Sequence, residues 1–75
     1  MILRPSQCKM ARVGLGLSVL GLAGLAKVSP NTITRLERGE RLLPRTQDAI
    51  RRALEEAGAE FIDENGGGPG VRVPK

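Results

Sequence analysis

Residues Leu17 to Gly39 read LSVLGLAGLAKVSPNTITRLERG, and this stretch decides the fold. Ser18 has the side chain to cap a helix N-terminus, and Leu22, Ala23 and Ala26 then fall on one side of a short helix over Val19 to Ala26. Ser29 is a second cap, with Pro30 at the first helical position, where its missing N–H costs nothing. A helix from Pro30 to Arg38 follows, with Ile33 and Leu36 turned inward, and Gly39 can take the left-handed conformation that closes helices. Only Lys27, Val28 and Ser29 separate the two helices, with Val28 as a buried plug that sets their angle. Two capped helices joined by so short a turn leave the second standing proud of the surface and narrow enough to enter a DNA major groove.

The residue types on that second helix suit such a role. Asn31, Thr34 and Arg35 point outward, and these side chains can pair with adenine, meet a thymine methyl or polar edge, and read guanine, respectively. Ser29 at the start of the helix, with Arg38, Arg41 and Arg45 at and beyond its end, suits phosphate contacts. The charge distribution agrees. Residues 1–36 hold five basic side chains and no acid, whereas the segment from Glu55 onward holds five acids against Arg72 and Lys75. A basic body with an acidic tail suits a polyanion on one side.

Outward from this unit, Pro5 opens an earlier helix in which Cys8, Ala11 and Leu15 recur at helical spacing, with Gly14 and Gly16 marking its end. Downstream, Pro44 opens a helix with Ile50, Ala53, Leu54 and Ala57 at i, i+3, i+4 and i+7, and Gly58 stops it. Arg51, Arg52, Glu55 and Glu56 take its other, solvated face. Phe61-Ile62, a turn-rich run from Asn65 to Gly70, and Val71-Arg72-Val73 then read either as two short strands or as a loose tail. The chain thus divides into a helical domain over 1–58 and a strand/turn segment over 59–75. Phe61, Ile62, Val71 and Val73 are too apolar for a free tail, and a lone hairpin is marginal in water, so these four are expected at a contact between two copies of the chain, the alternative being a tail folded back on its own fourth helix.

With these motifs in place, the chain resembles the Cro and lambda-repressor-like (XRE-type) helix-turn-helix family. Leu22-Ala23, Val28-Ser29, Ile33 and Leu36-Glu37-Arg38-Gly39 match its pattern, and the likeness runs from residue 5 to about residue 57. The tail EFIDENGGGPGVRVPK resembles the ending of a subgroup of small bacterial and prophage regulators. The resemblance implies a mainly α fold: a compact four-helix lambda-repressor-like helix-turn-helix domain with a short C-terminal β-strand pair or tail. It implies an ion pair between Arg12 on the first helix and Glu37, and a dimeric transcriptional repressor reading duplex DNA. The sequence departs from the pattern where Val19 replaces a phosphate-touching glutamine and Lys27 replaces the turn glycine. Leu20, Gly21, Gly24 and Leu25 replace polar residues, and Pro30 stands where a polar first contact is usual.

Composition narrows the alternatives. With no histidine and one cysteine, Cys8, the 75 residues can form neither an internal disulfide nor a zinc cluster, and they lack the commonest general base. The expectation is a non-enzymatic chain without metal, cofactor or small-molecule substrate. With no Tyr or Trp and Phe61 as the one aromatic, there is no stacking platform for single strands. The glycines from Gly66 to Gly70 lack the strand, helix and Lys of a phosphate-binding loop. The apolar run Val13–Ala26 after Arg4, Lys9 and Arg12 has the layout of a secretory signal peptide. Cleavage would leave a cysteine-free remnant without an obvious core, so the segment is read as two short helices and the chain as cytoplasmic, with no membrane role. A competing reading keeps the helix-turn-helix as a relic that binds another regulator through the apolar helix 2 or the tail without reading DNA.

Overall fold

In a computed structural model, residues 2–63 and 66–74 are described. The caps act where their side chains allow. Ser18 Oγ accepts from Gly21 N at 2.9 Å and opens α2 (Val19–Ala26), and Ser29 Oγ accepts from Thr32 N at 3.2 Å and opens α3 (Pro30–Glu37). Before them lies α1 (Pro5–Gly14) and after them α4 (Pro44–Glu56), both started by proline at N1. Two three-residue strands, β1 (Glu60–Ile62) and β2 (Gly70–Arg72), complete the chain. The fold is therefore mainly helical with a small sheet.

Among the described residues, the four helices close with the same backbone device, a bond from an N–H back to the carbonyl five residues earlier. These are Leu17 to Arg12, Val28 to Ala23, Glu40 to Arg35 and Ala59 to Leu54, each at 2.9–3.0 Å. The device needs a left-handed residue just before the donor. Gly39 supplies it at φ 99°, but at the end of α2 the residue is Lys27, at φ 58°, where a Cβ costs about 1 kcal/mol. The residue after the left-handed position folds back over its helix, which carries Ala59 into the core and Leu17 and Val28 against it. Val28 is thus half-buried rather than a fully enclosed plug. Ala57 is the C-cap of α4 and exposed, contrary to the helical spacing, because the chain turns at Gly58 and Ala59 takes the inward place.

The core comprises Leu3, Cys8, Ala11, Leu22, Ala23, Ala26, Ile33, Leu36, Ile50, Ala53, Leu54 and Ala59. Each large aliphatic among them contributes about 1.5–3 kcal/mol by leaving water. Leu15 is half-buried at its margin. α2 packs on both α3 and α4, and α1 meets α2 at 104°. Among the described residues no single helix is long and apolar enough to cross a membrane.

The C-terminal segment forms the strand pair, the first of the two readings of the tail. β1 and β2 pair with each other, antiparallel, in the register Glu60↔Arg72, Phe61↔Val71, Ile62↔Gly70. The hairpin lies on α1 of its own chain, and Phe61, Val71 and Val73 pack against the core. Of the four side chains expected at a contact between copies, Phe61, Val71 and Val73 are half-buried within the single chain and Ile62 is exposed. A buried glutamine makes this possible. Gln7, 1 % exposed, donates from Nε2 to the carbonyls of Ile62 (3.3 Å) and Gly70 (3.1 Å), and its Oε1 accepts from Arg4 N (3.1 Å). Of the expected turn between the strands, Asn65 lies outside the described residues; Gly66 and Gly68 both have positive φ.

Candidate nucleic-acid interface

α3 buries Ile33 and Leu36 and leaves Asn31, Thr34 and Arg38 exposed and Arg35 half-exposed. Positions 31, 34, 35 and 38 are spaced i, i+3, i+4 and i+7, so one face of the helix carries all four. The hydrophobic side holds the helix to the body and leaves this polar face uncovered. Ser29 is engaged at the helix start, where its hydroxyl caps Thr32 and lies 2.9 Å from Thr32 Oγ1. Thr34 Oγ1 donates to Pro30 O at 3.3 Å, a bond local to the helix.

Arg12 and Glu37 fix α3 against α1. Arg12 Nε donates to Glu37 Oε2 at 2.8 Å and Nη2 to Oε1 at 3.0 Å, with the side chains 14 % and 11 % exposed. The guanidinium also holds Leu17 O through Nη1 at 3.1 Å, at the entrance to α2. The pair therefore ties together the helix before the motif, the start of α2 and the end of α3. The hydrogen bond from Arg12 to Glu37 raises the arginine's pKa further. Cys8 Sγ reaches Glu37 Oε2 at 3.5 Å, and burial first, then the Glu37 charge, push its thiol up to about 12. Cys8 is thus a protonated core thiol, inert as a nucleophile at neutral pH.

The cations around α3 fall into two groups. Arg41 and Arg45 are exposed and enter no ion pair among the described residues. Arg41 shares with Arg35, Thr32, Thr46 and Pro44 an open groove of about 540 Å³ between α3 and the start of α4. Leu42 and Leu43 complete its lining, so the groove sets two guanidinium groups beside an apolar wall at the start of α4. Arg35 and Arg38 instead share one carboxylate. Arg35 Nε donates to Glu40 Oε1 at 3.1 Å, and Arg38 donates to Glu40 Oε2 through Nε at 3.1 Å and Nη2 at 2.5 Å. The bonds from Arg38 and then Arg35 hold the Glu40 pKa below its usual range. On α4, Arg51 is bonded to Asp48 and to Glu55, and Arg52 to Asp48, so these cations are satisfied along their own helix.

Two participants escaped the sequence reading. Glu40 stands directly after the Gly39 cap, and the closing bond of such a cap brings the residue after the glycine back over the helix end; that was the available signal. Gln7 at the third position of α1 has the residue type that reaches back to the preceding N–H, but nothing in the sequence marks its second role, on the hairpin. Phe61, Val71 and Val73 lie in the fold rather than at this face. Among the described residues no cluster of three or more His, Cys, Asp or Glu side chains could hold a metal ion. No protein-family model matches the chain, and no curated protein matches its sequence.

Proposed function

We propose that the chain is a sequence-specific duplex-DNA-binding transcriptional regulator, a non-enzymatic cytoplasmic repressor that places α3 in the major groove. One observation carries the reading. Asn31, Thr34, Arg35 and Arg38 form an uncovered polar face on a helix whose opposite side is anchored by Ile33, Leu36 and the Arg12–Glu37 pair. In this reading Asn31, Thr34 and Arg35 meet base edges, while Ser29, Arg38, Arg41 and Arg45 hold phosphates. The likeness of Leu22-Ala23, Val28-Ser29 and Leu36-Glu37-Arg38-Gly39 to the lambda-repressor-like pattern supports it. A second copy on an adjacent half-site would add affinity by setting two α3 helices about one DNA turn apart. With Phe61, Val71 and Val73 used in cis, Ile62 is the hairpin side chain left for that contact.

The test is binding of a labelled random-sequence duplex pool over a range of salt, followed by selection of the bound duplexes. The two exposed arginines outside any ion pair, Arg41 and Arg45, predict that log K on random duplex falls against log salt with a slope of about −2 per protomer, steepening towards about −3 where Arg38 also reaches a phosphate. Selection should converge on a motif. Absence of binding at low salt overturns the reading. In that case the exposed Leu20 (71 %) and Leu25 (54 %) of α2 favour the alternative, docking to another regulator. Replacing both by lysine would then abolish partner binding.

A further inference from the structure

Three of the four helix-closing turns bring an apolar residue, Leu17, Val28 or Ala59, back against the core; the fourth brings an acid. Glu40 occupies that place at the end of α3, its backbone fixed by the 3.0 Å bond to Arg35 O. An acid is poorly placed there, since the C-terminus of a helix carries partial negative charge. What holds it is the pair of guanidinium groups of Arg35 and Arg38, with all three side chains 41–64 % exposed. Glu40 is exposed, and exposed ion pairs of this kind contribute little to stability. Its effect falls on the two arginines, which stand on the face assigned to DNA.

We infer that Glu40 is a specificity residue of this interface, an internal carboxylate that occupies Arg35 and Arg38 until DNA displaces it. This rests on the DNA-binding reading above. In the free protein the carboxylate takes the donors that a phosphate would take, with the same two-oxygen geometry. A duplex that offers only backbone phosphates must compete with Glu40 for both side chains and gains little from the exchange. A duplex that offers a base edge to Arg35 gains hydrogen bonds that Glu40 does not provide, and the arginine is already held near the groove-facing side of α3. Non-specific attraction is thereby left mainly to Arg41 and Arg45, and discrimination rises because the weak mode is suppressed more than the strong one.

Removing the charge tests this directly. Glu40→Gln keeps the side chain's size and, at an exposed position, leaves the fold intact; a matching circular dichroism melt verifies that. Glu56→Gln removes the same charge from an exposed residue at the end of α4 and serves as the control for net charge. On random-sequence duplex at low salt, Glu40→Gln is expected to bind about three- to tenfold more tightly than the unmodified chain, with a salt slope steeper by about one unit. Glu56→Gln is expected to shift binding by less than about twofold. On a duplex chosen by selection the gain from Glu40→Gln should be smaller, so the ratio of selected to random affinity falls. Equal effects of the two substitutions, or an unchanged random-duplex affinity in Glu40→Gln, overturn the role of Glu40 while DNA binding itself stands. Failure of all three proteins to bind any duplex overturns the DNA reading and the inference with it.

Discussion

The carboxamide of Gln7 in the first turn of α1 donates to the carbonyl of Gly70, 63 positions along the chain, at 3.1 Å. The same nitrogen serves Ile62 O, so one buried side chain bridges the facing ends of both strands. This is how a two-stranded hairpin that would be marginal alone is retained on a small helical body.

Gln7→Leu keeps the volume but leaves Gly70 O, Ile62 O and Arg4 N to find other partners. A drop of about 1–3 kcal/mol in urea-unfolding stability is expected, the cost of stranding a buried polar group. Amide exchange at Phe61 and Val71 should accelerate more than at Leu54. Uniform acceleration, or a loss under about 0.5 kcal/mol, would mean that the hairpin is held by its apolar contacts alone.

Removing one member of the Arg12–Glu37 pair strands the other charge in a site that is less than one-sixth exposed. Arg12→Met and Glu37→Gln should each cost about 3–5 kcal/mol toward the upper end for the arginine, which also loses Leu17 O. The double replacement Arg12→Met with Glu37→Gln should be less damaging than the sum of the two single ones. Strict additivity in chemical denaturation would show that the two groups do not interact.

The Cys8 thiol gives a pH dependence with a defined sign. Its folded pKa of about 12 lies above the ordinary value of 9.0. Below pH 9 both folded and unfolded chains carry the protonated thiol, and its contribution is fully present. Between pH 9 and 12 the unfolded chain loses the proton first, so stability falls as pH rises, by at most about 1.4 kcal/mol per unit. Cys8→Ala should flatten this decline in unfolding curves at pH 8, 9 and 10. Parallel profiles for the two proteins would place the thiol in an ordinary environment.

Lys27 pays for its left-handed backbone at φ 58°. Lys27→Gly should therefore stabilise the chain by up to about 0.5 kcal/mol, the strain relief slightly exceeding the added freedom of the unfolded glycine. Lys27→Val, β-branched at the same position, should destabilise it. A lower melting temperature for the glycine variant would contradict the strain.

Arg35 and Arg41 line one groove but have different expected roles. Arg35→Ala should alter the motif recovered by selection and cost about 1–3 kcal/mol on the preferred base. Arg41→Ala should weaken all duplexes alike and flatten the salt slope by about one unit. Equal losses on every sequence for both variants would remove Arg35 from base contact.

The helices were legible because their signals are local. Ser18 and Ser29 as caps, Pro5, Pro30 and Pro44 at first positions, and Leu22, Ala23, Ile33, Leu36, Ile50 and Leu54 at helical spacing act within a turn or two of chain. The polar face of α3 follows from the same periodicity. Residues 57–59 misled the periodic reading because a helix's spacing does not continue through its closing turn, and there Ala59 displaces Ala57 inward.

By itself, then, the sequence determined the helices and the outward residues of α3, since backbone capping and 3.6-residue periodicity are properties of neighbours along the chain. Tertiary structure decided where the hairpin goes and which arginines are occupied. Phe61, Val71 and Val73 could bury themselves against a second copy or against their own core. Within the single chain they pack on their own core, where Gln7 adds two hydrogen bonds at a separation of 55 to 63 residues. Glu40 could have been one more solvated acid. The left-handed turn at Gly39 brings it within hydrogen-bond reach of Arg35 and Arg38, so their engagement is set by a three-dimensional return of the chain rather than by residue type.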